Sequence, residues 1–151
     1  MNLKGSDRPI FLPPGYEVYN EFVANGSQGE VLQGKDDQGE SIGIKRVPLI
    51  EQQYKLKQLL REIKIQKHLD HPNILKIKKI IVSPNQDEIY LIFDFCLNDL
   101  SKVIKDNVLS NNNEVILDYI FNILLAVDYM HKKGVMHRDL KPNNILINKN
   151  D

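Results

Sequence analysis

"HRDLKPNN", His137 to Asn144, sets a carboxylate, Asp139, two residues before a cation, Lys141, and five residues before an amide, Asn144. Pro142 lies between the last two and points to a non-helical path, because its ring removes a backbone donor and restricts the residue before it. An extended loop of this kind aims all three side chains at one point. In chemical terms they are a carboxylate to orient and deprotonate a hydroxyl, a cation for a phosphoryl group in transfer, and an amide oxygen for a metal ion. The alternative is a solvated polar loop, and the rest of the chain has to decide between the two.

With 151 residues and 42% hydrophobic content, the sequence can bury a core in one domain, or in one domain and part of another. Its 20 basic and 20 acidic residues cancel. No global field therefore favours nucleic acid or an anionic membrane, and neither is expected as a partner. The single cysteine, Cys96, has no internal partner for a disulfide, the first residues carry no signal-peptide pattern, and no apolar run approaches a bilayer-spanning length. A soluble protein in a reducing compartment, cytoplasm or nucleus, is expected.

Moving back from the polar cluster, a helical half is preceded by a β-rich half. "YEVYNEFVA" (16–24), "EVLQG" (30–34) and "SIGIKRV" (41–47) are short β-branched or aromatic runs, the last two separated by the turn-forming "KDDQG". "ILKIKKIIV" (74–82) and "EIYLIFDF" (88–95) flank "SPNQD", where a hairpin would bend. Five strands are thus expected. Between the groups, Leu56, Leu59, Leu60 and Ile63 recur at helical spacing and predict a helix over about 51–69, with Glu62 on the flank of its apolar stripe. A second helix, about 114–133, follows the capping signal "NNN" at 111–113 and carries Ile116, Tyr119, Ile120, Ile123, Leu124, Val127 and Met130. Residues 1–15 read as an irregular lead-in.

"VANGSQGEV", Val23 to Val31, bends from strand to strand with glycines at Gly26 and Gly29. Such a bend lets exposed N–H groups approach a phosphate, although an ordinary hairpin turn fits the same residues. A dinucleotide fingerprint is disfavoured because a strand follows, not a helix. Lys45, inside the apolar strand "IGIKRV", and Glu62, on the helix flank, would form an ion pair able to hold a cation beside a phosphate. The alternative is two surface charges whose pairing contributes about 0–1 kcal/mol.

Taken together, these segments resemble a eukaryotic Ser/Thr protein kinase over about residues 16–151. "HRDLKPNN" matches the catalytic-loop pattern H-R-D-L-x-x-x-N in order and spacing. "ANGSQGEV" resembles the Gly-rich loop, "IGIK" the strand carrying the ATP-contacting lysine, and "LLREIKIQKHLDHPNIL" (59–75) the αC helix with Glu62. "EIYLIFDFCLNDL" (88–100) resembles the fifth strand and hinge. Lys141 after "HRDL" is similar to Ser/Thr rather than tyrosine kinases. "EQQYKLKQLLREIKI", "CLNDL" and "YMHKKGVMHRDLKPNN" are most similar to MAP kinases and their cyclin-dependent neighbours, with the balance towards the former.

The resemblance implies an α+β fold: a lead-in (1–15), an N-lobe with a five-stranded antiparallel sheet and an αC helix (16–94), and a hinge with the first helices and catalytic loop of a C-lobe (95–151). It implies ATP and Mg2+ as cofactors, a protein substrate and an upstream activating kinase. Lys45, Glu62, Asp139 and Lys141 would act on the phosphates and the hydroxyl, and Asn144 would hold a metal ion. Val23, Val31 and Gly43 would roof the adenine, Leu146 would floor it, and Gly26, Gly29 and Lys45 would face the phosphates. Phe93 would be the gatekeeper, and Asp94 to Cys96 would bond the adenine through their backbone.

Three departures from that pattern matter. Ala24 takes the place of the first glycine of the loop, which should stiffen it and lower activity. Gly43 replaces the usual alanine of the lysine strand, at about 0.5–1 kcal/mol of strand stability. Nothing in the sequence follows Asp151, so the Asp-Phe-Gly metal ligand is not reached, and the 151 residues alone are expected to be inactive and poorly stable. A truncated nucleotide-binding or partner-sequestering fragment is the alternative function, and an unrelated α+β binding module with chance motifs is the third reading.

Overall fold

A computed structural model describes residues 9–26, 29–49, 53–107 and 112–148, with the backbone alone described for 20–26, 29 and 53–55. The β-branched runs become strands β1 (Glu17–Gly26), β2 (Gly29–Lys35), β3 (Ser41–Pro48), β4 (Lys79–Val82) and β5 (Glu88–Asp94). They form one five-stranded sheet in the order β1-β2-β3-β5-β4, every neighbouring pair antiparallel. The expected five-stranded antiparallel sheet is therefore present.

Local chemistry sets the bends. Between β2 and β3 the Asp36 carboxylate accepts from the backbone N–H groups of Gln38 and Glu40, and Gly39 takes the left-handed φ of 83° that closes the turn. Between β4 and β5 the positive φ falls on Gln86, at 58°. The strand expected over 74–82 begins only at Lys79. His71-Pro72-Asn73 turns the chain first, with Ile74 N–H donating to the His71 carbonyl, and Leu75 to Ile77 run as irregular chain with Ile77 buried. An apolar run after a proline turn can be buried without being a strand.

Helix α1 covers Gln53–His68. Of its expected stripe, Leu59 is buried and Ile63 half-buried, whereas Leu56 and Leu60 are exposed. The covered face is thus narrower than the spacing suggests. Residues 51 and 52, where that helix was expected to start, lie outside the described residues.

The chain divides into two compact units, and each is described by itself. The first comprises the described residues of Met1–Lys64 and Lys76–Phe95. Its core lies on one face of the sheet, where Leu32, Ile42, Ile44, Ile81, Tyr90 and Ile92 meet. Residues read from sequence as an irregular lead-in help cover this face: Ile10 and Leu12 pack against it, as do Tyr16 and Val18 of the run that follows. The opposite face carries Lys45, whose neighbours in register are Val31 and Leu91.

The second unit comprises the described residues of Ile65–Leu75 and Cys96–Asp151. A short helix, α2 (Leu100–Lys105), was not anticipated; Asp99 caps it by accepting from the Lys102 N–H. Helix α3 runs Asn113–Lys132 with Asn112 as its cap and ends at Gly134, φ 72°. Strands β6 (Asn98–Asp99) and β7 (Leu146–Ile147) pair antiparallel, and Leu100 N–H donates to the Ile145 carbonyl. These pairings fix the far end of the polar loop between Val135 and Ile145, and the Val135 N–H, donating to the Met130 carbonyl, fixes its start. The turn of His71 is anchored within this unit as well: Asp70 N–H donates to the Tyr129 hydroxyl and the Asn73 amide to Asn122.

Candidate functional site

The polar loop is built from a strained residue and a short turn. Arg138 adopts φ 65°, a conformation that costs a non-glycine residue about 1 kcal/mol or more. The Asp139 N–H donates to His137 Nδ1 at 3.2 Å, which holds the corner in place. Lys141 is extended, but Pro142–Asn144 then forms one turn of 3-10 helix with proline at its first position. The non-helical path expected there is corrected: a proline at the start of a turn loses no hydrogen bond, and its fixed φ suits the geometry.

This bend brings Asp139, Lys141 and Asn144 together. Lys141 Nζ lies 2.9 Å from Asp139 Oδ2, and Asn144 Nδ2 donates to the same oxygen at 2.9 Å and to the Asp139 carbonyl at 2.8 Å. The Lys141 ammonium, and then the Asn144 amide, hold the Asp139 carboxyl below its ordinary value. Asp139 is therefore ionised at neutral pH. All three side chains are exposed, so the carboxylate is open to a hydroxyl from outside. Because its nitrogen is spent on Asp139, Asn144 turns its amide oxygen elsewhere.

In the first unit, Lys45 of β3 and Glu62 of α1 are paired. Their Nζ and Oε1 stand 2.5 Å apart, with side chains 19% and 25% exposed. The second oxygen of Glu62 is buried and has no hydrogen-bond partner among the described residues. Phe93 is buried and lies opposite Gly43 in register. A Cβ added to Gly43 would meet only the Asp94 carbonyl oxygen, at 3.8 Å. The Asp94 side chain bonds Lys78 at 2.8 Å and raises the ammonium's pKa, while Cys96 is half-buried.

For the Gly-rich segment, Ala24 pairs with Val31 and Gly26 with Gly29 across the β1–β2 bend. Val31 is half-buried; the side chain of Val23 and residues 27 and 28 lie outside the described parts. Leu146, expected under an adenine, is exposed on β7 opposite Asp99.

Sequence reasoning missed the charges on the other face of β3. Arg46 is 3% exposed and bonds Glu88 Oε1 through Nε at 3.0 Å and Nη2 at 2.7 Å. Arg46 and Glu88 are 42 residues apart, and no local pattern announces their meeting. The strain at Arg138 was equally invisible, because residue type alone favours glycine there.

With this geometry established, a family comparison gives a direct match: the protein kinase domain model covers residues 18–151. Mitogen-activated protein kinase 5 of Arabidopsis thaliana is 34% identical over 146 residues, covering 89% of this chain and 39% of the relative. Cyclin-dependent kinase D-1 of the same plant is 36% identical over 132 residues, covering 86% and 33%. A probable serine/threonine-protein kinase of Dictyostelium discoideum is 39% identical over 126 residues, covering 83% and 24%. The chain belongs to the protein kinase family, and its relatives include MAP kinases and a cyclin-dependent kinase. It spans between about a quarter and two fifths of the length of these relatives.

Among the described residues no group of three or more His, Cys, Asp or Glu side chains is placed to hold a metal ion. An Mg2+ ion carried on nucleotide phosphates keeps water and phosphate oxygens and needs only one or two protein oxygens, a demand that the exposed Asn144 amide fits. No helix among the described residues is long and apolar enough to cross a membrane.

Proposed function

We propose that these residues serve transfer of the terminal phosphoryl group of ATP to a serine or threonine hydroxyl of a protein. The observation that carries this reading is the convergence of Lys141 and Asn144 on Asp139. Both contacts fall on Oδ2, which leaves Oδ1 as the acceptor for an incoming hydroxyl. A carboxylate with a lowered pKa is a weak base, so orientation of that hydroxyl is its main contribution, with the proton accepted late in a loose transition state.

Lys141 supplies positive charge beside the carboxylate, at Oδ2. In the first unit, Lys45 would hold phosphate oxygens, and Glu62 fixes its ammonium. Val23, Val31, Gly43 and Phe93 are proposed to line the adenine and Gly26 and Gly29 to face the phosphates, with the peptides from Asp94 to Cys96 bonding the base and Leu146 beneath it. Mg2+, when bound with ATP, would neutralise charge on the phosphates, and the amide oxygen of Asn144 would hold it. A protein substrate, an upstream activating kinase and a cytoplasmic or nuclear setting complete the proposal.

The test is incubation of the full-length gene product with radiolabelled ATP, Mg2+ and a generic basic protein, followed by phosphoamino-acid analysis. Label on serine or threonine is the expected result. Label on tyrosine alone, or nucleotide hydrolysis without transfer, would overturn it.

A further inference from the structure

The mechanism uses one face of β3, yet the other face holds the buried charged side chains among the described residues. Arg46 is 3% exposed, Glu88 4% and Tyr90 0%. Charges taken this far from water persist only when their hydrogen bonds are met, and here they are met in series. Arg46 donates twice to Glu88 Oε1, and the Tyr90 hydroxyl donates to Glu88 Oε2 at 2.7 Å. Having given its one proton to the carboxylate, the Tyr90 oxygen can only accept. What it accepts is the backbone N–H of Phe11, at 3.2 Å. At the other end Arg46 Nη1 lies 3.7 Å from Glu30 Oε2 on β2.

Phe11 belongs to a segment tied down along its length. Ile10 and Leu12 pack on the same core as Tyr90. Pro13 and Pro14 restrict the chain that follows, and Gly15, φ 91°, passes so near the β2–β3 turn that a Cβ there would stand 3.0 Å from the Asp37 Cβ. Tyr16 then accepts from Lys79 Nζ of β4 at 3.0 Å. The segment thus joins β5, the β2–β3 turn and β4 across one face of the sheet.

We propose that residues Ile10–Tyr16 form a strap that, through the Tyr90 hydroxyl and the Arg46–Glu88 pair, holds strand β3 and thereby the Lys45 ammonium in place. Arg46 and Lys45 are consecutive on that strand, so a shift that follows Arg46 moves Lys45 with it. The strap is then a positioning element for the phosphate-binding lysine, acting from the face opposite to the one Lys45 uses. The consequence for nucleotide binding rests on the function proposed above; the consequence for β3 does not.

The experiment compares the full-length gene product with Tyr90→Phe, which removes one hydroxyl and keeps the ring. Hydrogen exchange by mass spectrometry is read at residues 9–16 and 41–48, and a fluorescent ADP analogue is titrated into each protein. Faster exchange in both segments, with nucleotide affinity lowered about fivefold, is the expected result, a ratio at the low end of ordinary coupling between sites. Faster exchange in 9–16 with no change in 41–48 would overturn the proposal, leaving a cover without a positioning role; so would no change in either. Faster exchange in both segments in a protein that binds no nucleotide would uphold the strap and defeat the function proposed above. If Tyr90→Phe does not fold, deletion of residues 1–14 with a peptide of residues 9–18 supplied in trans replaces it, and restored protection of 41–48 by the peptide is the supporting outcome. Unrestored protection at saturating peptide overturns the proposal.

Discussion

Lys45 on β3 and Glu62 on α1, 17 residues apart in sequence, meet at 2.5 Å, and the second Glu62 oxygen is buried without a hydrogen-bond partner among the described residues. Each side chain keeps a fifth to a quarter of its surface in water, and an ion pair so exposed contributes about 0–1 kcal/mol to stability. Such a pair makes more sense as a means of fixing where an ammonium stands. In the full-length gene product, Lys45→Met should cripple phosphotransfer, and Glu62→Gln should do so less severely because a hydrogen bond survives. Melting temperatures should barely move. Turnover unaffected by either change would return the pair to the status of surface charge.

Asp139 gives a pH dependence whose sign follows from its partners. Its pKa is lowered first by Lys141 and then by Asn144, so the ionised form persists below the usual carboxylate range and is lost only as pH falls through the lowered value. The acid limb of the pH–rate profile should therefore sit below the range of an ordinary aspartate. Lys141→Ala removes the larger cause and should move that limb to higher pH. An unmoved limb would mean that another group controls it.

Two glycines in neighbouring strands should respond oppositely to alanine. At Gly43 the added methyl meets only one carbonyl oxygen at 3.8 Å, so Gly43→Ala should stabilise the protein by about 0.5–1 kcal/mol through loss of unfolded-chain entropy. At Gly34 the methyl would overlap the Glu17 backbone carbonyl oxygen and stand 2.9 Å from Ile44 Cδ1, and overpacking of that kind costs about 1–3 kcal/mol or more. Chemical denaturation of both variants decides the matter, and the same sign for both would contradict this reading of the two sites.

The apolar face of α3 has a consequence for the 151 residues taken alone. Leu117, Ile120, Phe121, Leu124 and Leu125 are exposed, and Leu100, Ile104, Ile116, Tyr119, Ile120 and Ile123 line a cavity of about 400 Å3 beside α2. Of the seven residues that helical spacing placed on one apolar face, Met130 is buried and Ile116, Tyr119, Ile123 and Val127 are half-buried, so Leu117 and Phe121 make up much of the exposed surface instead. A contiguous patch of this kind promotes association. The isolated polypeptide should sediment as oligomers, and Leu117→Lys with Phe121→Lys should shift it towards monomer.

The strands were legible because β-branched residues cluster and turn residues separate them, and α3 because Asn112 caps a long apolar repeat. The polar loop from His137 to Asn144 was legible from its own spacing. What could not be read depended on residues far apart in sequence. Ile10 and Leu12 carry no period that marks them as a strap, because their partner, Tyr90, lies on β5. Arg46 carries no local sign of burial, because its partner Glu88 lies 42 residues away on β5. The short helix α2 escaped notice because six residues offer too few turns to display a repeat.

The central claim is that Asp139 orients the hydroxyl that receives the phosphoryl group, and Asp139→Ala in the full-length gene product tests it most directly. Initial rates of label transfer from ATP to a basic protein should fall by about 10²–10⁴, the range for loss of a positioned acid–base group, while nucleotide affinity stays close to wild type. Transfer at an undiminished rate by a folded Asp139→Ala protein would contradict the account.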